Sequence, residues 1–211
     1  MDRHVRDITV NRWFGPVAAF AAAAFAVAYD IPQVLQVLGV LHDPWDRILI
    51  FAPSLALAPA YVLTAAAVHA AAAPALKVWS LAALALAILY AADVSQIYVV
   101  QLGAVIPSDL AGQHAISAFA ACCGWHAPAT AVDLLGYTYM SGSTALMAGA
   151  CPGAGGRGTR LALLANGALA PVLIGQLAWP WLIYGGAIWM ATFPAAMILV
   201  GLQLKRGSLA A

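Results

Sequence analysis

Apolar residues fill this chain in long blocks separated by short polar joints, with no sustained alternation of the kind a half-buried strand shows. A run of about 20 apolar residues is long enough for a helix to cross a bilayer. Blocks of that size occupy about 13–29, 48–72, 78–100, 129–150, 160–178 and 181–204. The pattern predicts an all-α membrane protein of six transmembrane helices, forming a single polytopic domain over residues 1–211.

The joints add detail. Asp30 is placed to cap a new helix with Pro32 in its first turn, which predicts a short re-entrant or interfacial piece over 31–41 carrying Gln33 and Gln36. A continuous, tilted helix from 13 to 41 is the alternative. After the third block, Ser108-Asp109 reads as a cap, and Leu110, Ile116 and Phe119 form one apolar face over 108–123, as expected of an amphipathic helix lying at the surface. Short interfacial helices are thus expected after spans one and three. A Gly-rich link, CPGAGGRG at 151–158, follows span four, and Trp179-Pro180 makes the turn into span six. Pro53, Pro59, Asn166-Gly167, Pro171 and Pro194 mark possible kinks, which membrane helices tolerate.

Composition strengthens the membrane assignment. The chain is 64% hydrophobic and 8% charged, against about 25% charged in an ordinary soluble domain. All eight acids are aspartates, and the net charge of +1 gives no reason to expect a nucleic-acid partner. Arg3, Arg6 and Arg12 precede an apolar run, as in a signal peptide, but no cleavage site with a polar mature start follows, so the first helix is read as uncleaved.

Basic residues orient the bundle. Arg3, Arg6, Arg12, Lys77, Arg157, Arg160, Lys205 and Arg206 fall on one side if there are six spans, leaving Arg47 alone on the other with Asp43 and Asp46. Both termini are therefore expected in the cytoplasm. The heavy use of alanine suggests a bacterial source, hence an inner membrane. Trp45, Trp125, Trp179 and Trp181 fall at the outer interface, Trp13 and Trp79 at the inner one, and Trp189 lies well inside a span.

Candidate chemistry gathers toward the outer half. An ionisable group in hydrocarbon costs about 2.5–3.5 kcal/mol even on lenient insertion scales, so it usually has a role or a partner. Asp93 lies 16 residues beyond Lys77, roughly 24 Å along its helix. Tyr90, Asp93, Ile97 and Gln101 share helical spacing there, with Gln96 at the edge. On span four, Thr130, Asp133, Tyr137, Ser141 and Thr144 share a face; Gln176 sits high on span five and Asn166 deep. Asp30, Tyr90, Asp93, Gln96, Asp133, Tyr137 and Gln176 are the candidate residues for binding a cation, a proton or a small polar ligand. The bland alternative is that the acids are hydrogen-bonded packing residues.

Other groups carry weaker signals. Asp109, His114 and His126 are candidates for an outer metal site, although their spacing matches no specific ligand pattern. Adjacent Cys122 and Cys123 lack the spacer that paired metal ligands need; they read as small interfacial residues, with a redox role as the minority alternative. Ser141, Ala145 and Gly149 form a row of small residues suited to close helix contact, within the bundle or between copies. Tyr29-Asp30 is half of an intramembrane aspartyl protease signature, but Asp133 lacks the Gly-x-Gly lead of the other half. No histidine in span six supports Ser141 as a nucleophile. No pattern specifies a cofactor.

These readings predict a small transporter or ligand- or ion-binding membrane protein with an outward-facing polar site and the bilayer as its immediate partner. A non-catalytic subunit or assembly factor, in a homo-oligomer or membrane complex, is the second reading. An enzyme acting on a lipid-soluble substrate is the third.

Overall fold

The computed structural model describes residues 3–151 and 156–207, with side chains from Trp13 onward. Residues 152–155 of the Gly-rich link, and the side chains of Arg3, Arg6 and Arg12, lie outside the described residues. Every regular element described is helical.

Helix α1 runs unbroken over Arg3–Val37, through Asp30 and Pro32. The separate piece expected after span one does not form, and Asp30 caps nothing; the continuous alternative is the one realised. Proline removes one backbone donor, whereas ending the helix inside an apolar layer would strand several. The chain turns at Gly39, whose φ of +68° suits a residue without a side chain.

Helix α2 (Trp45–Ala71) returns and keeps Pro53 and Pro59 within it. Helix α3 (Lys77–Val100) continues through one π turn at Gln101–Val105 into α4 (Ile106–Leu110). The π turn directly precedes Pro107, whose ring cannot sit against a regular preceding turn. The resulting rod, Pro74–Leu110, has 37 residues and is roughly 55 Å long, well over the thickness of a hydrocarbon core of about 30 Å. The expected surface helix over 108–123 is corrected accordingly. Ser108 and Asp109 end a helix rather than start one, and only Ser117–Ala120 (α5) is helical in the loop that follows.

Helix α6 (Pro128–Gly149) packs along α3. The fifth apolar block divides into α7 (Arg157–Gly167) and α8 (Ala170–Gly175), breaking just ahead of Pro171. The last block divides into α9 (Ile183–Gly186) and α10 (Trp189–Arg206), and Pro194 is accommodated inside α10. Five helical stretches are long and apolar enough to cross a membrane: Trp13–Val37, Trp45–Ala71, Pro74–Leu110, Arg157–Gly175 and Pro180–Arg206. Helix α6 has 22 residues but carries more polar side chains, of which Thr130, Tyr137, Ser141, Ser143 and Thr144 are buried and Asp133 is partly exposed. The fold and composition are consistent with a helical, multi-pass membrane protein.

Small residues set the helix separations. A methyl placed on Gly136 would sit 2.9 Å from Val94 Cγ1, and one on Gly167 would sit 2.6 Å from Ala145 Cβ. Gly149 lies against the Trp79 ring. The Ala145 and Gly149 positions of the small-residue row are therefore spent within the bundle, on α7 and α3. Midway along, Tyr61 Oη donates to Ser143 Oγ (2.8 Å), which donates to the Ala83 carbonyl (2.7 Å) and ties α2, α6 and α3 together. Asn166 donates to Thr144 (3.1 Å) and accepts from Thr192 (3.0 Å), linking α7 to α6 and α10. Such interhelical bonds average about 0.6 kcal/mol each, so close packing carries most of the association.

Candidate functional site

Antiparallel packing of α3 on α6 determines which polar residues meet. Gly136 lies opposite Val94 and the Cβ of Asp93. One turn toward the N-terminus of α6, Asp133 comes level with Tyr98, and Tyr98 Oη donates to Asp133 Oδ1 at 2.7 Å. The Tyr98 and Tyr137 hydroxyls are 3.1 Å apart. A hydroxyl has one proton, so while Tyr98 donates to Asp133 it accepts from Tyr137. The result is a short relay, Tyr137 to Tyr98 to Asp133, between two helices.

Aromatic rings surround this relay. Trp189 meets Tyr29 and Tyr137 edge-on at 6.0 and 5.1 Å and stacks on Phe193 at 4.9 Å. Tyr90 meets Tyr137 and Tyr61 at 5.7 and 5.9 Å. Asp133 lies within electrostatic range of Tyr29, Tyr90, Tyr98 and Tyr137. Among the described residues no lysine, arginine or histidine forms an ion pair with it. Tyr90 Oη and Trp189 Nε1 are buried without a hydrogen-bond partner, as are one oxygen of Asp30 and one of Asp93.

Of the residues singled out from sequence, Asp133, Tyr137 and Tyr90 come together, with Tyr29 beside them. Asp30 is buried on α1, the residue after Tyr29. Asp93 lies apart from the relay. It is five residues from Tyr98, about 140° around the helix at roughly 100° per residue, so it takes the opposite flank of α3, against Gly136. Gln96 is exposed, and its amide donates to Ala92 of its own helix. Gln176 packs on Gly186 and helps line a separate recess of 120 Å³ with Trp125, His126 and Thr130.

Tyr98 and Trp189 were missed as site residues. The i, i+4, i+8 series Tyr90, Val94, Tyr98 is the buried face of α3 and would have found Tyr98, whereas the series through Asp93 runs along its edge. Trp189 belongs to another helix, and nothing local marks it as a neighbour of Tyr137.

Two further clusters involve residues outside the relay. Arg47 binds Asp43 and, at 2.7 Å, Asp109 Oδ2, clasping the α1–α2 turn to the end of the long rod. Asp109 also accepts from Ser117, and His114 Nδ1 is 3.1 Å from its Oδ1. Hydrogen bonds from Ser117, Arg47 and His114 hold the Asp109 carboxyl well below the usual carboxylate range. Asp109 and His114 thus meet as envisaged for a metal site, but the aspartate's oxygens are engaged by Arg47 and Ser117, and His126 lines the other recess. The second cluster is unexpected. Cys122 and Cys123 are joined by a disulfide, and their sulfurs and an Asp133 oxygen all lie within 4.8 Å of one another. Gln101, fully buried, pins this loop by donating to the Ala120 carbonyl (2.7 Å) and accepting from the Cys122 N–H (3.1 Å).

No family model, no curated protein and no solved structure matches this chain. The fold is consistent with a helical membrane protein, and a carboxyl–tyrosine relay lies between α3 and α6 beside a cluster of aromatic rings.

Proposed function

We propose that this is a small polytopic membrane carrier or sensor whose ligand is a proton or a small monovalent cation taken up at Asp133. One observation carries the reading: a partly buried carboxyl where α3 meets α6 has a tyrosine hydroxyl as its hydrogen-bond donor and, among the described residues, no ion pair with a basic residue. A carboxylate in low dielectric needs a counter-charge, and a proton or metal cation supplies one. The rings of Tyr29, Tyr90, Tyr137 and Trp189 pack edge to face with centroids 5.1–6.0 Å apart, which leaves no room between them for a drug-sized ligand. Six crossings, counting α6, with both termini cytoplasmic in a bacterial inner membrane, place Asp133 within a turn or two of the outer surface.

The test is thermal stability of the purified protein across pH and a panel of sodium, potassium, ammonium and choline chlorides. A bound ion stabilises by mass action, about 2.7 kcal/mol at 100 times its dissociation constant. One member of the panel, hydrogen ion included, should raise the melting temperature. Asp133→Asn should melt cooperatively and lose that response. A flat wild-type response across the panel refutes the proposal. Reporter fusions to the two termini should report the same compartment; opposite compartments would overturn the six-crossing arrangement.

The subunit reading has one observation in its favour. An apolar groove of 530 Å³ between α1 and α2, lined by Trp13, Phe14, Val17, Phe25, Pro59 and Leu63, opens on the outside of the bundle. Neither Asp93 nor Asp133 lines it, so it gives a lipid-soluble substrate no path to those acids.

A further inference from the structure

The cysteine loop carries chemistry that ion binding does not require. Cys123 is exposed and Cys122 half-buried, so Cys123 is the residue of the pair more open to a thiol in solution. The Asp133 oxygen beside both sulfurs is the one carboxyl grouped with cysteines among the described residues. Gln101 fixes the loop from below through both ends of its amide, so the sulfurs keep their position relative to the helices. The third cysteine, Cys151, is buried at the far end of α6, 18 residues and roughly 27 Å from Asp133, and takes no part.

We propose that Cys122–Cys123 is a thiol–disulfide exchange site for an exposed dithiol, with Asp133 as its proton donor and acceptor. The thiolate of the dithiol attacks Cys123 Sγ. The Cys122–Cys123 bond breaks, a mixed disulfide forms at Cys123, and Cys122 leaves as a thiolate that takes the proton of the Asp133 carboxyl. The second thiol of the substrate, deprotonated by solvent, then attacks its own sulfur in the mixed disulfide. Cys123 departs as a thiolate and is protonated from solvent. The substrate dithiol loses two electrons and two protons overall, and the protein disulfide gains them. In the reverse direction the Asp133 carboxylate takes the proton of Cys122 as it attacks. Direct proton transfer needs about 2.6–3.2 Å, or one intervening water at longer separation. The separation here, within 4.8 Å, fits the water-bridged case. Tyr98 donates to Asp133 Oδ1 and so restrains the carboxyl beside the sulfurs.

The experiment uses the full chain in detergent with Cys151→Ala, equilibrated in buffers of reduced and oxidised dithiothreitol and then labelled with a mass-tagged maleimide. The expected result is an interchange between no labelled thiol and two, set by the dithiothreitol ratio. Asp133→Asn should slow the exchange about tenfold or more and flatten its pH profile, and Asp133→Glu should recover most of the rate. If Cys151→Ala does not fold, the wild-type count serves, shifting by the same two thiols. Two labelled thiols at every oxidised ratio, or wild-type rate and pH profile in Asp133→Asn, would overturn the proposal. Cys122→Ser/Cys123→Ser should abolish exchange and keep the ion response of Asp133, so this inference and the ion-binding reading fail separately.

Discussion

Replacing Tyr98 with phenylalanine tests whether the relay is a unit. The change removes one oxygen that serves two neighbours, Asp133 at 2.7 Å and Tyr137 at 3.1 Å. Interhelical hydrogen bonds in membranes average about 0.6 kcal/mol and reach about 1.7, so two of them set an expected loss of roughly 1–3 kcal/mol. Most of that loss should come from the carboxyl left without its donor, since an unsatisfied buried group costs more than a bond returns. Asp133→Leu fills similar space without a charge and should be neutral or stabilising, because a carboxyl among aromatic rings is costly to desolvate. In the Asp133→Leu background, Tyr98→Phe should cost at least about 1 kcal/mol less than in wild type, since the carboxyl is gone and only the Tyr137 contact is lost. Unfolding free energies from denaturing-detergent titration in mixed micelles, taken around the four corners of the cycle, measure that coupling. Independent sites add to within about 0.3–0.5 kcal/mol. An equal cost of Tyr98→Phe in both backgrounds would therefore refute the relay. A stabilised Asp133→Leu would mean that the carboxyl is kept for something other than folding.

Further outcomes follow from the packing and the Arg47–Asp109 cluster. Gly167→Leu would drive a side chain into the Ala145 backbone, 2.9 Å from the first added carbon, and should destabilise by about 1–3 kcal/mol on thermal melting, with α7 losing hydrogen-exchange protection first. Gly136→Ala meets the Val94 side chain at 2.9 Å and the Asp93 Cβ at 3.3 Å, with no backbone atom closer than 3.7 Å, and should cost less in the same melt. Arg47→Ala should loosen the loop after the long rod, detected as faster proteolysis between residues 111 and 127, with little change in the helical signal. Asp109 is depressed in the folded state, so its contribution is present above the unfolded carboxylate value of about 3.9 and is lost as pH falls below it. The loop should therefore open in acid in the wild type, and Arg47→Ala should blunt that dependence; identical acid profiles would show that the clasp does not hold the loop.

Much of the architecture is legible in the chain because the bilayer constrains it so strongly. Apolar length alone marks the spanning helices, since each backbone polar group in hydrocarbon must be satisfied within its own helix. The same rule explains why reading Asp30-Ile31-Pro32 as a break failed: local capping chemistry lost to the cost of opening a helix there. The surface helix expected over 108–123 failed for a related reason. Ser108 and Asp109 are cap residues by type, but the rod passes Pro107 through a π turn and uses Asp109 to bind Arg47, 62 residues away in sequence.

Within the site, sequence marked Asp133, Tyr137 and Tyr90 through residue type and helical spacing. It could not choose between Asp93 and Tyr98 as the partner of Asp133. That choice depends on which flank of α3 the absent side chain of Gly136 brings against α6, a property of two helices together. Nor could it bring Trp189 to Tyr137, or a pair of adjacent cysteines to a carboxyl ten residues further on. Periodicity records which face of one helix is polar; only the packing of helices against one another decides which polar faces meet, and the chemistry proposed here depends on those meetings.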